Sequence, residues 1–213
     1  MYVFLVGLFL VRNPGVIRKG FVVLVIGGKT VNKKSSANIK SIRQTTQFSC
    51  MAASLASTLY ACGKNFTEDE VNEVLGATPL HGASWEQALA TVQYFGCRGT
   101  LVVPATLRML KKWTDAGIPV MIAWNPENRP WSHASVVFDI DVESNVKVMD
   151  PNIPDPEQTI RVIPKEEFYK KWVEQVGENL IVRRPAMAVE REVTSDGRQV
   201  VASRIANRFL TRR

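Results

Sequence analysis

The sequence predicts an α+β fold, with helices leading and an antiparallel sheet following. Two patterns carry this. Helix-periodic stretches with caps or glycine stops dominate residues 50–117, and strand-like apolar runs cluster from residue 119 onward. A chain of 213 residues that is 46% hydrophobic also has material for a sizeable core, in one domain with extensions or two small ones.

Taken in order, residues 1–11 (MYVFLVGLFLV) are apolar but too short to cross a bilayer as a helix. A second apolar run, Phe21 to Ile26, is kept apart from the first by Arg12, Pro14, Arg18 and Lys19. The start has no basic n-region of the signal-peptide kind. A signal peptide, a β-hairpin turning at Asn13-Pro14-Gly15 and a peripheral membrane segment all stay open as readings. Gly27 to Lys40 is polar and basic and reads as a linker, so residues 1–39 form an extension.

A helix follows from Cys50 through an Ala-, Ser- and Leu-rich run, with Leu55 and Leu59 one turn apart and Gly63 as the stop. Thr67 and Glu70 form a capping box for a short helix ending at Gly76, and Ser84 opens another that ends near Gly96. Residues 98–103 read as a strand, Thr106 to Ala116 as a helix stopped by Gly117, and Pro119 to Trp124 as a buried strand. His133 to Asp141 and Val146 to Asp150 are strands joined by Glu143-Ser144-Asn145. Pro164 opens a helix running to about Gln175, and Leu180 to Val182 is the last expected strand. Residues 184–199 mix charge and glycine, and little order is expected there. Beyond them Val201, Ile205 and Phe209 recur every four residues beside Arg204, Arg208 and Arg212. That is a basic amphipathic helix, too short to be stable alone, suited to docking on a protein partner or an anionic surface.

Charge is divided unevenly. Residues 1–43 carry net +8, residues 44–182 net −6 and residues 183–213 net +5. An acidic body between basic arms is not a nucleic-acid-binding surface by charge, and no specific nucleic-acid binding is expected. A cytoplasmic or peripheral-membrane setting is favoured, with a virus- or phage-associated one as the alternative.

Cys50 is the chemical focus. At a helix start it meets unpaired backbone N–H groups and the positive end of the helix dipole, which favour the nucleophilic thiolate. Gln44, six residues earlier, can return its amide to the same point and donate to an oxyanion together with the Cys50 N–H. Gln47 is a rival for that role, but a residue three before a helical Cys more often points elsewhere, so Gln44 is preferred. His133 opens one strand and Asp150 closes the next, which puts them near each other at one end of an antiparallel pair. There the imidazole could take the Cys50 proton and Asp150 could fix its tautomer. Cys62 and Cys97 sit in apolar settings and read as core, and three cysteines make no even disulfide framework. His81 reads as a loop residue. No paired zinc-ligand spacing and no glycine-rich phosphate loop is present, so neither metal nor cofactor is expected.

The stretch from about residue 40 to 182 resembles the C39 and C39-like peptidases, papain-fold cysteine proteases. The resemblance lies in Gln44 six residues before Cys50, in His133 opening a strand and in Asp150-Pro151 closing the next. Gly117-Ile118-Pro119-Val120 and Glu167-Phe168 with Trp172 also look similar. It implies a papain-like fold, with the Cys helix packed on a sheet that carries His and Asp, over a peptidase domain spanning residues 40–183. A basic tail, 184–213, follows. The implied activity is cleavage of a peptide or protein through a thioester acyl-enzyme by Cys50, His133, Asp150 and Gln44. A peptidoglycan amidase or other thiol acyltransferase on the same fold, or a non-catalytic peptide-binding domain, are the alternatives. Where the family usually has Asp-Cys-Gly, this chain has Ser49-Cys50-Met51, which is expected to change local electrostatics and narrow the cleft. No transporter domain follows, so a free-standing domain is expected. Family members that process leaders cut after Gly-Gly, and this chain has Gly27-Gly28; self-cleavage there competes with a strand ending in a glycine turn, which the β-branched residues favour.

Overall fold

The computed structural model describes residues 22–25, 37–126, 131–153, 155, 159–176 and 180–192. The apolar start at 1–11, the Gly27-Gly28 pair and the amphipathic segment at 199–213 lie outside the described residues.

Five helices and nine strands are described. α1 (Cys50–Ala61), α2 (Glu68–Leu75) and α3 (Trp85–Tyr94) come before α4 (Leu107–Asp115) and α5 (Lys165–Lys171). The strands are β1 (Val22–Val25), β2 (Cys97–Val103), β3 (Val120–Trp124), β4 (His133–Ile140), β5 (Val146–Met149), β6 (Ile160–Ile163), β7 (Val173–Val176), β8 (Leu180–Arg183) and β9 (Ala186–Arg191). Seven of them form one sheet in the order β1-β2-β9-β3-β4-β5-β6, with every neighbour antiparallel. β7 and β8 form a separate hairpin. Among the described residues no helix is long and apolar enough to cross a membrane.

The helix starts follow their local chemistry. Thr67 and Ser84 each accept the N3 backbone N–H of the helix they open, while Glu70 and Gln87 return the bond to the cap. Gly76 ends α2 with φ +70°, a left-handed conformation that glycine adopts without a Cβ clash.

Both faces of the sheet are covered, and strand alternation divides the core in two. On one face Leu55 and Leu59 of α1, Val71 of α2 and Ala88 of α3 pack with Met121, Val136, Met149 and Met187. On the other, Leu110 of α4 and Phe168 and Trp172 at α5 pack with Ile122, Trp124, Val137, Val148 and Ile163. Burial on both sides explains why PVMIAW reads as an unbroken apolar run rather than as an alternating strand.

The structure departs from the expected elements at three places. The helix after Pro164 ends at Lys171 rather than near Gln175, because the chain turns at Trp172 (ψ 73°) and Val173–Val176 pairs with β8 instead. Ile160–Ile163, not anticipated, is the edge strand β6. The largest departure is β9. Residues 186–191, where little order was expected, lie inside the sheet between β2 and β3, with Ala186, Met187, Ala188 and Val189 all buried. The expected division at residue 183 therefore cuts off a strand that belongs to the sheet. Leu180–Arg183 is not the last strand of the chain.

Candidate active site

Cys50 is the first residue of α1, so its N–H has no partner within the helix. Its thiol faces the His133 ring, and backbone N–H groups of Ala134 and Met51 also point at the sulfur. Burial opposes charge on the thiol, but the hydrogen bond and charge of His133 and these two amides outweigh it and hold the Cys50 pKa below the usual thiol value. The expected effect of the helix start is thus visible in a specific contact, the Met51 N–H.

β4 and β5 are adjacent and antiparallel, with Val136 opposite Met149, so the first residue of one and the residue after the other meet at one end of the sheet. There His133 Nε2 lies 2.7 Å from Asp150 Oδ1. Nδ1 is therefore the ring nitrogen left for the thiol. Burial would lower the imidazole pKa, but the hydrogen bonds and charges of Asp150 and Cys50 raise it to about 9. Asp150 is buried, which alone would raise its pKa. The His133 bond and charge, the Asn152 N–H on Oδ1 (3.1 Å) and Arg161 on Oδ2 (3.1 Å) instead bring it below the ordinary carboxylate value. The structure therefore brings Cys50, His133 and Asp150 into one line, thiol to imidazole to carboxylate.

Gln44 stands beside this line. Its backbone N–H donates to the Pro151 carbonyl at 2.9 Å, next to Asp150. Its side-chain Nε2 donates to the Thr46 carbonyl at 2.7 Å, which uses one of two amide hydrogens and leaves the other. The loop is held from both sides. Glu68, buried at the start of α2, accepts the Thr45 N–H at 2.9 Å and the Thr45 hydroxyl at 3.2 Å. The Ser49 hydroxyl donates to the Thr46 carbonyl and accepts from the Thr46 N–H. Ser49 thus ties down the loop and makes no side-chain cap on α1. Gln47, the rival donor, is exposed. Residues 43–47 with Pro151 and Asn152 line a depression of about 160 Å³. A larger groove of about 590 Å³ beside α4 carries Arg108, Lys111, Lys112 and Lys165 and none of these residues.

Met51 does not narrow the cleft as expected; it is buried in the core formed by α1 to α3. Cys62 and Cys97 are buried, and His81 lies in an exposed turn between Thr78 and Gly82. Sequence reasoning passes over Glu68, Thr46 and Arg161. Glu68 is hidden inside a Thr-Glu-Asp-Glu string that reads as a helix cap, although the cap uses Glu70. Arg161 lies on a strand that was not anticipated, and its place on the inward parity of IRVI is the one signal that could have exposed it.

The comparisons with known proteins bear on the family and the fold. The Peptidase_C39 like family matches residues 36–179. Among curated proteins none matches significantly. Among solved structures, similarity extends to a double glycine motif protease from an AMS/PCAT transporter, solved in complex with the leader peptide. It has TM-score 0.58 and 20% identity, covering 75% of this chain and 96% of that one. The peptidase domain of Streptococcus ComA, a bifunctional ABC transporter involved in a quorum-sensing pathway, gives TM-score 0.56 at 16% identity over 71% of this chain and 97% of that one. A C39-like peptidase from Bacillus anthracis gives 0.55 at 16% identity over 76% and 100%. The seven-stranded antiparallel sheet with the Cys helix on one face is the C39 papain-like fold, and the chain belongs to the Peptidase_C39 like family.

Proposed function

We propose that this protein is a cysteine endopeptidase that cleaves a peptide or protein substrate through a thioester. The observation that carries the reading is the His133 ring, held by Asp150 on Nε2 and facing the Cys50 thiol with its other nitrogen.

In this reading the Cys50 sulfur, as thiolate, attacks the scissile carbonyl carbon and forms the C–S bond. The carbonyl π electrons move onto oxygen. The Cys50 N–H and the free hydrogen of Gln44 Nε2 donate to that oxyanion, each donor contributing roughly 3 kcal/mol in comparable sites. The His133 imidazolium gives its proton to the leaving nitrogen as the C–N bond breaks. Water then attacks the thioester, neutral His133 takes the water's proton, and sulfur leaves as thiolate beside the restored imidazolium. Asp150 keeps the ring oriented throughout and balances its charge.

The test is digestion of a diverse peptide library, with new termini read by mass spectrometry. Wild type is expected to generate termini that Cys50→Ala does not. Identical termini from both proteins, or none from either across a broad library, would overturn the proposal.

A further inference from the structure

Asp150 has a second charged neighbour that the mechanism above does not use. Arg161 comes from the edge strand β6 and donates from a guanidinium nitrogen to Asp150 Oδ2 at 3.1 Å, while His133 takes Oδ1. The two strands are locked at this point by the Asp150 N–H donating to the Thr159 carbonyl at 2.7 Å. Register puts Arg161 opposite Val148, and Trp124 opposite His133. Val148 and Trp124 belong to the core on the face away from α1. Arg161 therefore approaches the carboxylate from the side opposite the helix that carries the thiol. Its guanidinium carbon lies 5.2 Å from the centroid of the Trp124 ring, and that buried indole is fixed in turn by donating to the Ser135 hydroxyl at 2.8 Å. The guanidinium is thus held over a rigid aromatic plane rather than swinging in solvent.

From this geometry we propose that Arg161 is a positioning residue of the site, which braces Asp150 and shares its negative charge, and so sets the upper pH limit of the Cys50–His133 ion pair. The inference rests on reading Cys50, His133 and Asp150 as one unit. A carboxylate bonded to two cations stabilises each less than it would alone. Arg161 cannot lose its proton, so the burden falls on His133. The groups around His133 are few. Cys50 faces it from α1 and Asp150 from the end of β5. β3 contributes uncharged Trp124, and on the β7 hairpin the Glu174 carboxylate is occupied by the Trp85 indole N–H at 2.9 Å. Arg161 is the cation added to this set through Asp150.

The experiment is an NMR titration of the imidazole protons in the full chain. The protein has two histidines, and a His81→Gln variant assigns the signals. Arg161→Gln is expected to move the His133 midpoint upward by about half a pH unit or more, from the loss of one positive charge a carboxylate away. Arg161→Lys keeps the charge and is expected to titrate like wild type. An unchanged or lowered His133 midpoint in Arg161→Gln would overturn the proposal. So would an Arg161→Lys midpoint raised well above wild type, which remains decisive if the Gln variant does not fold. The readout is the ring itself, so it is independent of whether any peptide is cleaved.

Discussion

His133 Nε2 sits 2.7 Å from Asp150 Oδ1, so the ring meets the Cys50 thiol with Nδ1. In the proposed reaction this fixes which nitrogen carries the shuttled proton, and it makes the two residues unequal in what their loss should do. His133→Ala removes both base and acid and is expected to lower kcat/KM by about 10³-fold or more, close to the loss from Cys50→Ala. Asp150→Asn keeps an acceptor for the ring and should cost less, by roughly one to two orders of magnitude. Its amide nitrogen would face Arg161, donor against donor, if the oxygen stays on the ring. Steady-state kinetics on a substrate from the library screen checks both. An Asp150→Asn loss as large as that of His133→Ala would mean that the carboxylate does more than orient.

The pH window follows from the same contacts. Cys50 is held below the ordinary thiol range and His133 is raised to about 9, so thiolate and imidazolium coexist between the two. The rate should rise through the lowered Cys50 titration and fall as pH passes about 9. The stability sign is fixed as well. A histidine raised from 6.5 contributes stability that is complete below pH 6.5 and lost as pH rises through about 9. Denaturant melts from pH 6 to 10 should show the midpoint falling toward the upper end, and His133→Ala should remove that component.

Glu68 should separate the oxyanion side from the nucleophile. It holds Thr45, one residue from Gln44, and touches neither sulfur nor imidazole. Glu68→Ala is expected to lower kcat roughly tenfold, less than the loss of a whole oxyanion donor. Alkylation of Cys50 should continue at the wild-type rate. A matching fall in alkylation would show that the variant has disturbed α1 itself.

Trp172 belongs to the core rather than to the site. It is fully buried, its indole donates to the Pro185 carbonyl at 2.9 Å, and its ring centroid lies 5.2 Å from that of Phe168. Trp172→Ala should cost about 3–5 kcal/mol of stability. Urea unfolding measures this, and a loss below 1 kcal/mol would show that the contact between α5 and the chain leading into β9 is not needed.

Much of this was legible because the signals are local. Thr67 with Glu70 and Ser84 with Gln87 announce helix starts through bonds made within four residues. Cys50, His133 and Asp150 stand at element ends, where spacing alone says which residues can meet. β9 was not legible for the opposite reason. Ala186 to Val189 is buried on both faces, so it lacks a two-residue period. Its hydrogen-bond partners, β2 and β3, lie far back in the chain. Arg161 was missed with its strand, since the inward parity of IRVI carries weight only once β6 is placed next to Asp150. Met51 was misjudged because a helix start has an inward and an outward side, and spacing from Cys50 did not say which was which.

The central claim is that Cys50 is a thiolate activated by His133. The direct measurement is the rate of iodoacetamide alkylation of each cysteine at pH 6, read by peptide mass spectrometry in wild type and His133→Ala. Cys50 should be modified rapidly in wild type and slowly in His133→Ala, while buried Cys62 and Cys97 stay unmodified in the folded protein. Slow modification of Cys50 at pH 6 in wild type, or equal rates with and without His133, would contradict the account.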